Sequence, residues 1–125
     1  MIEEEGSGWR LAKDSLRGEF PVLIGGNFWS TELTENEWNS LVPVVIDLIK
    51  QHDQYKNQLM KEELITLEIE REPWWASIDG GREFWSLKLI LSGDRRNRRG
   101  LEMYWPIPDA QAFVSAMRTM WDSYQ

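Results

Sequence analysis

The sequence predicts an α+β fold of antiparallel sheets, in which three or four strands and a helix are followed by four strands and a second helix. Three observations predict this order. Short segments alternate apolar and polar residues, as half-buried strands do, and glycine-containing turns separate them. Two longer segments instead repeat apolar residues every three or four positions, which is typical of amphipathic helices. A length of 125 residues with 42% hydrophobic content fits one domain, residues 1–125, with one core.

The first half of the chain contains three predicted strands. Trp9 and Leu11 lie on one face of the first strand, and a turn containing Gly18 separates it from the second. Gly25-Gly26-Asn27 predicts a tight hairpin before the third strand, because these residues accept positive φ. Residues 1–7 are acidic and are predicted to be a flexible terminus. The three strands cover residues 8–14, 20–24 and 28–33.

The first predicted helix begins with a capping box. In Thr34-Glu35-Asn36-Glu37, the Thr34 side chain can accept the Glu37 amide while the Glu37 carboxylate accepts the Thr34 amide. Pro43 predicts a kink, since it has no N–H to donate. His52 lies where the segment becomes polar, and we interpret it as an exposed or cap-region histidine. The apolar residues that mark the buried face are Trp38, Leu41, Val42, Val45, Ile46 and Ile49.

The second half repeats the order of sheet followed by helix. Asp79-Gly80-Gly81 predicts a hairpin turn, and the strands on either side of residues 92–100 are predicted to pair. Pro106 and Pro108 end the last strand, and a terminal helix with an apolar stripe begins at Asp109. The predicted strands cover residues 64–71, 74–78, 84–91 and 101–105, and the stripe consists of Phe113, Met117, Met120, Trp121 and Tyr124.

Charge is distributed unevenly along the chain. The 14 Lys and Arg against 21 Asp and Glu give a formal charge of −7. Four cations lie in one short predicted loop, as Arg95, Arg96, Arg98 and Arg99, which leaves ten cations against 21 carboxylates elsewhere, a formal charge of −11. Such an acidic body disfavours non-specific binding of duplex DNA. The loop itself is either a solvated turn or a site for one or a few phosphates.

The inventory of reactive residues argues against an enzyme. There is no Cys and one His, so thiolate nucleophiles, iron–sulfur clusters and zinc sites made of Cys or several His are excluded. The sequence has neither a nucleophile elbow nor a phosphate-binding glycine motif. We therefore predict a non-enzymatic protein without cofactor or metal. The acidic start and the lack of a long apolar run predict a cytoplasmic protein that does not enter membranes.

Eight Trp residues are an unusual number for a chain of this length. Trp74 and Trp75 are adjacent on a predicted strand, so they point to opposite faces and cannot both enter one core. The outward residue either packs beneath a loop or contacts a partner, where tryptophan stacks on bases or sugars or anchors protein interfaces. The other six are assigned to packing: Trp9, Trp29, Trp38, Trp85, Trp105 and Trp121.

Several short blocks resemble a cyanobacterial family of unknown function, domain of unknown function 1818. The blocks are Gly8-Trp9-Arg10-Leu11-Ala12, residues 20–26, Leu33-Thr34-Glu35 with Trp38, and Arg99-Gly100-Leu101-Glu102. The resemblance implies a fold similar to that of Whirly-type single-stranded-DNA-binding regulators and the coactivator positive cofactor 4. Whirly proteins carry a Lys-Gly-Lys-Ala-Ala-Leu motif that has no counterpart here, so no nucleic-acid-binding residue is transferred.

Two functions remain open from the sequence. The first is binding of a protein partner, with the arginine loop pairing to carboxylates and a tryptophan as anchor. The alternative is binding of single-stranded DNA or RNA, with the arginines on phosphates and a tryptophan stacked on bases. Assembly into a homo-oligomer is also left open. Both functions use the same candidate residues: Arg95, Arg96, Arg98, Arg99, Trp74 and Trp75.

Overall fold

Two four-stranded antiparallel sheets and two helices make up the fold, as the sequence predicts. The computed structural model describes residues 1–93 and 99–123. The first sheet comprises β1 (Ile2–Gly6), β2 (Trp9–Lys13), β3 (Val22–Gly25) and β4 (Ser30–Leu33), in that order. Helix α1 (Glu35–Lys56) leads into the second sheet, which comprises β5 (Ile65–Arg71), β6 (Trp74–Gly80), β7 (Trp85–Leu91) and β8 (Leu101–Trp105). Helix α2 (Asp109–Ser123) follows.

Strand β1 occupies residues for which the sequence predicts a flexible terminus. It pairs with β2 over five residues, from Ile2 opposite Lys13 to Gly6 opposite Trp9. Its Glu-rich sequence carries no alternation of apolar and polar residues, so hydrophobic periodicity gives no strand signal there. Backbone pairing to β2 and the contact of Ile2 with the core hold this segment. The first sheet therefore has one more strand than the alternation indicates.

Helix α1 begins at the predicted capping box. The Thr34 amide donates to Glu37 Oε1 at 2.8 Å, and the Glu37 amide donates to Thr34 Oγ1 at 3.1 Å. The helix continues through Pro43 to Lys56. The interpretation of His52 as exposed is wrong, since only 3% of its surface is accessible. Its ring is buried because the β6–β7 turn covers it, and Nε2 donates to the Gly81 carbonyl at 2.8 Å.

The core lies between the two sheets and the two helices, and Trp105 joins its parts. This residue is completely buried at the end of β8. Its indole N–H donates to the Gly25 carbonyl of β3 at 2.9 Å, which links the two sheets. Its ring stacks on Phe113 of α2, with centroids 4.1 Å apart, and contacts Trp29 at 5.1 Å. The two halves of the chain therefore share one core.

Neither helix is long and apolar enough to cross a membrane.

The glycines at the hairpin turns serve a different purpose from the predicted one. Positive φ is found at Gly8 and Gly18, and not at Gly25 or Gly80. At Gly80, a Cβ atom would lie 2.6 Å from the Cα atom of Trp85, on the facing strand. Glycine is required there because the two backbones approach closely, which leaves no space for a side chain.

We expect Gly80→Ala to lower the free energy of unfolding by about 1–3 kcal/mol, because the added methyl group meets backbone atoms that cannot move independently. The neighbouring Gly81→Ala is the matched control. A Cβ atom at Gly81 makes an ordinary contact, 3.5 Å from the Glu63 carbonyl. Urea unfolding of both variants measures the difference. Equal stability of the two variants would show that close approach of the strands does not determine the glycine at position 80.

Candidate functional site

Arg99 is the member of the predicted arginine loop that lies within the described residues. The other three, Arg95, Arg96 and Arg98, lie outside them. The Arg99 guanidinium is not turned toward solvent as a free cation. Its Nη1 donates to Glu37 Oε1 at 2.5 Å, and its Nη2 donates to the Glu32 carbonyl. Its Cζ atom lies over the Phe20 ring, 4.9 Å from the ring centroid. These contacts tie the start of β8 to the first sheet and to α1.

Glu37 is the centre of this cluster. Its carboxylate accepts hydrogen bonds from both Arg99 and the Thr34 amide, and only 10% of its side chain is exposed. Its backbone carbonyl accepts the indole N–H of Trp74 at 3.0 Å. A carboxylate this buried needs a charged partner, and Arg99 supplies it. Arg99 therefore stabilises the junction of α1 with both sheets, and both of its terminal nitrogens donate within the chain.

Trp74, the first of the two adjacent tryptophans, is buried in the core. It is 1% exposed, and its indole N–H lies between the Glu37 carbonyl and the Ser40 hydroxyl, at 3.0 and 3.1 Å. Of the two adjacent tryptophans, the strand therefore sends Trp74 into the core and Trp75 to the opposite side of the second sheet. Trp75 is half-buried there. A partner can reach Trp75 and cannot reach Trp74.

We call the side of the second sheet that faces away from the core its outer face. Trp75 lies directly opposite Ile90 of β7, and Tyr104 of β8 shares the face, 53% exposed. Ile90 pairs with Glu102, the residue two positions before Tyr104, so Tyr104 is its diagonal neighbour. These three side chains form a partly exposed apolar strip across β6, β7 and β8.

Charged residues surround this strip on the outer face. Glu70 lies opposite Trp75, and Glu68 lies opposite Ser77. Lys88 is bound to Glu102, with Nζ 2.7 Å from Oε1. The complete outer face consists of Thr66, Glu68 and Glu70 of β5, Trp75, Ser77 and Asp79 of β6, Ser86, Lys88 and Ile90 of β7, and Glu102 and Tyr104 of β8. Four carboxylates against one ammonium group make it acidic.

A pocket of about 390 Å³ lies elsewhere, between the end of α1 and the β6–β7 turn. The buried His52 forms part of its wall, with its ring 6.2 Å from that of Trp85 and edge-on to it. Lys56 and Asp53 also line it, bridged at 3.3 Å, together with Arg82. Its lining has no hydroxyl or thiol group among the residues that the structure describes. The described lining therefore places carboxylate, ammonium and guanidinium groups, and no hydroxyl or thiol, around the histidine.

Metal binding has no support in the described ranges. No group of three or more His, Asp or Glu side chains within residues 1–93 and 99–123 is arranged to hold a metal ion. On the outer face, two of the carboxylates have protein partners instead: Asp79 accepts a hydrogen bond from Thr66 at 2.7 Å, and Glu102 is paired with Lys88.

Sequence reasoning identified Trp75 as one of two contact candidates and missed its neighbours. Ile90 and Tyr104 lie on strands that the sequence predicts, and each is adjacent to a buried residue, Leu89 or Trp105. The alternation within each strand is therefore sufficient to predict that both side chains face outward. What the alternation does not give is the pairing register, which places the three side chains side by side.

Comparison with known proteins places the chain in a family and provides no activity. No curated protein matches it. A crystal structure of a protein of unknown function from Prochlorococcus sp. NATL2A, described as a DUF155-family protein, is 49% identical, with a TM-score of 0.90. The match covers 97% of this chain and 99% of that one. The family model of the domain of unknown function DUF1818 matches residues 4–120. The chain therefore belongs to the DUF1818 family.

Proposed function

We propose that the chain is a non-enzymatic protein-binding domain whose contact surface is the outer face of the second sheet. The observation that carries this proposal is the strip formed by Trp75, Ile90 and Tyr104, on the face opposite to the one that contacts α1 and α2. Aromatic residues that remain accessible on a regular strand are typical anchors of protein interfaces. Because the strands hold the three side chains in fixed register, a partner meets an ordered surface.

Charge favours a protein over a nucleic acid as the partner. The resemblance to Whirly-type regulators motivates single-stranded nucleic acid as the alternative, with Trp75 and Tyr104 stacking on bases. Phosphates, however, would approach an outer face that has four carboxylates and one ammonium group. Arg99, expected to contact phosphate, is instead bound to Glu37. Nucleic-acid binding therefore requires cations that the described part of this face does not provide.

We expect Trp75→Ala to abolish capture of the physiological partner while leaving the fold intact. Truncation of a central interface tryptophan removes about 2 kcal/mol or more of binding free energy, because its large apolar surface is no longer buried by the partner. The measurement is affinity capture from an extract of the source cells, with bound proteins identified by mass spectrometry. Circular dichroism and thermal unfolding verify that the variant is folded.

Phe28→Ala is the matched control for this capture. Phe28 is also an accessible aromatic residue, 94% exposed, but it lies at the β3–β4 turn rather than on the outer face. The proposal requires a protein that the wild type and Phe28→Ala retain and Trp75→Ala loses. A set of bound proteins identical for all three would contradict it. Salt-sensitive binding of an unstructured oligonucleotide at about 50 mM salt, lost in Trp75→Ala, would establish the alternative.

A further inference from the structure

The outer face combines aromatic rings with two carboxylates, Glu68 and Glu70, that have no cationic partner among the described residues. In one row across the sheet, Glu70, Trp75, Ile90 and Glu102 are direct neighbours. Adjacent strands lie about 4.8 Å apart, so the Glu70 carboxylate is close to the indole of Trp75. Neither Glu68 nor Glu70 forms an ion pair with any residue that the structure describes. Two negative charges therefore lie unpaired beside an accessible aromatic ring.

Ser77 provides a second and independent observation. Its position between Trp75 and Asp79 places it on the outer face, yet only 8% of its surface is exposed. It lies in the middle of the face, opposite Glu68 on one side and Lys88 on the other. Within the described ranges its hydroxyl has no protein hydrogen-bond partner, while that of Thr66 donates to Asp79, and the Ser77 oxygen remains accessible to solvent. The middle of the face therefore offers an accessible hydroxyl that can accept a hydrogen bond from a partner.

We infer that the partner presents arginine side chains to this face. This inference rests on the proposed function and names the chemistry of the partner. Guanidinium groups on this face can stack on the indole of Trp75 and donate to the carboxylates of Glu68 and Glu70, with the Ser77 hydroxyl as a further acceptor. Arginine fits better than lysine because its planar group has five donors in a fixed arrangement. The unpaired carboxylates supply the complementary charge that selects it.

Selection from a display library of short random peptides tests the inference without a known partner. The immobilised baits are the wild type, Trp75→Ala and the double variant Glu68→Gln/Glu70→Gln. We expect the wild type to enrich arginine-containing peptides and both variants to lose them. Enrichment of apolar or acidic peptides that Trp75→Ala loses would overturn the inference and leave the proposed function intact. Selection that is unchanged by Trp75→Ala would overturn both.

Calorimetric titration with a soluble peptide of alternating Gly and Arg provides the quantitative test. We expect binding that weakens with added salt, and a loss of about tenfold or more in affinity for Trp75→Ala. The matched control is Glu62→Gln/Glu63→Gln, which removes two exposed carboxylates outside the face and should bind like the wild type. An equally tight complex with the same peptide carrying citrulline in place of Arg would overturn the inference. So would a dimer in sedimentation that Trp75→Ala dissociates, because it would assign the face to a second copy.

Discussion

Trp105→Ala is expected to lower the free energy of unfolding by about 3–5 kcal/mol, the largest effect of any substitution considered. Trp105 is completely buried and contacts parts of both halves of the fold. Its removal leaves a cavity beside Phe113 and Trp29 and takes away the donor to the Gly25 carbonyl. Urea unfolding followed by circular dichroism measures the loss, with one cooperative transition for the whole chain.

The matched control for this prediction is Trp75→Ala, which truncates the same residue type on the outer face. Trp75 is half-buried and has no hydrogen bond to lose within the described residues. Its replacement should therefore lower the free energy of unfolding much less than Trp105→Ala does. Trp105→Phe keeps a ring at the site but leaves the Gly25 carbonyl without its indole donor. We expect its loss of unfolding free energy to lie between those of Trp75→Ala and Trp105→Ala. If Trp105→Ala and Trp75→Ala unfold at the same urea concentration, Trp105 does not link the sheets.

Arg99→Ala is expected to lower the free energy of unfolding by about 2–4 kcal/mol, because it leaves the Glu37 carboxylate buried without its cation. The side chains of Arg99 and Glu37 are only 23% and 10% exposed, so water screens the pair weakly. Arg99→Lys should rescue little of the loss, since one ammonium group does not reproduce the planar pair of donors that contacts Glu37 and the Glu32 carbonyl. Thermal and urea unfolding measure both variants.

Two further variants separate a buried ion pair from a general effect of charge. Arg17→Ala breaks the exposed pair between Arg17 and Glu32, whose side chains are 34% and 45% accessible, and should cost less than about 1 kcal/mol. In the Arg99→Ala background, Glu37→Gln should restore part of the lost stability by removing the uncompensated charge. A further loss in that double variant would contradict this role of the pair, as would equal losses for Arg17→Ala and Arg99→Ala.

Most of the fold follows from local signals in the sequence. The capping box at Thr34 determines where α1 begins, and alternation locates β8 with its observed bounds, Leu101–Trp105. These features depend on residues close together in the chain, so hydrophobic period and turn chemistry are sufficient to find them. Among the strands that the structure describes, β1 is the one whose residues carry no strand signal, because backbone pairing with β2 and not its own pattern holds it in the sheet.

The partners of the charged and aromatic residues depend on tertiary structure. The sequence by itself determined that one of Trp74 and Trp75 must face outward, since the strand period is two. Only the packing of the sheet against α1 decided that it is Trp75, and only the register placed Ile90 and Tyr104 beside it. Likewise, a run of arginines in the sequence indicates a free cationic loop, whereas contacts with residues 62 and 67 positions away make Arg99 a structural residue. Such long-range contacts leave no periodic trace in the chain.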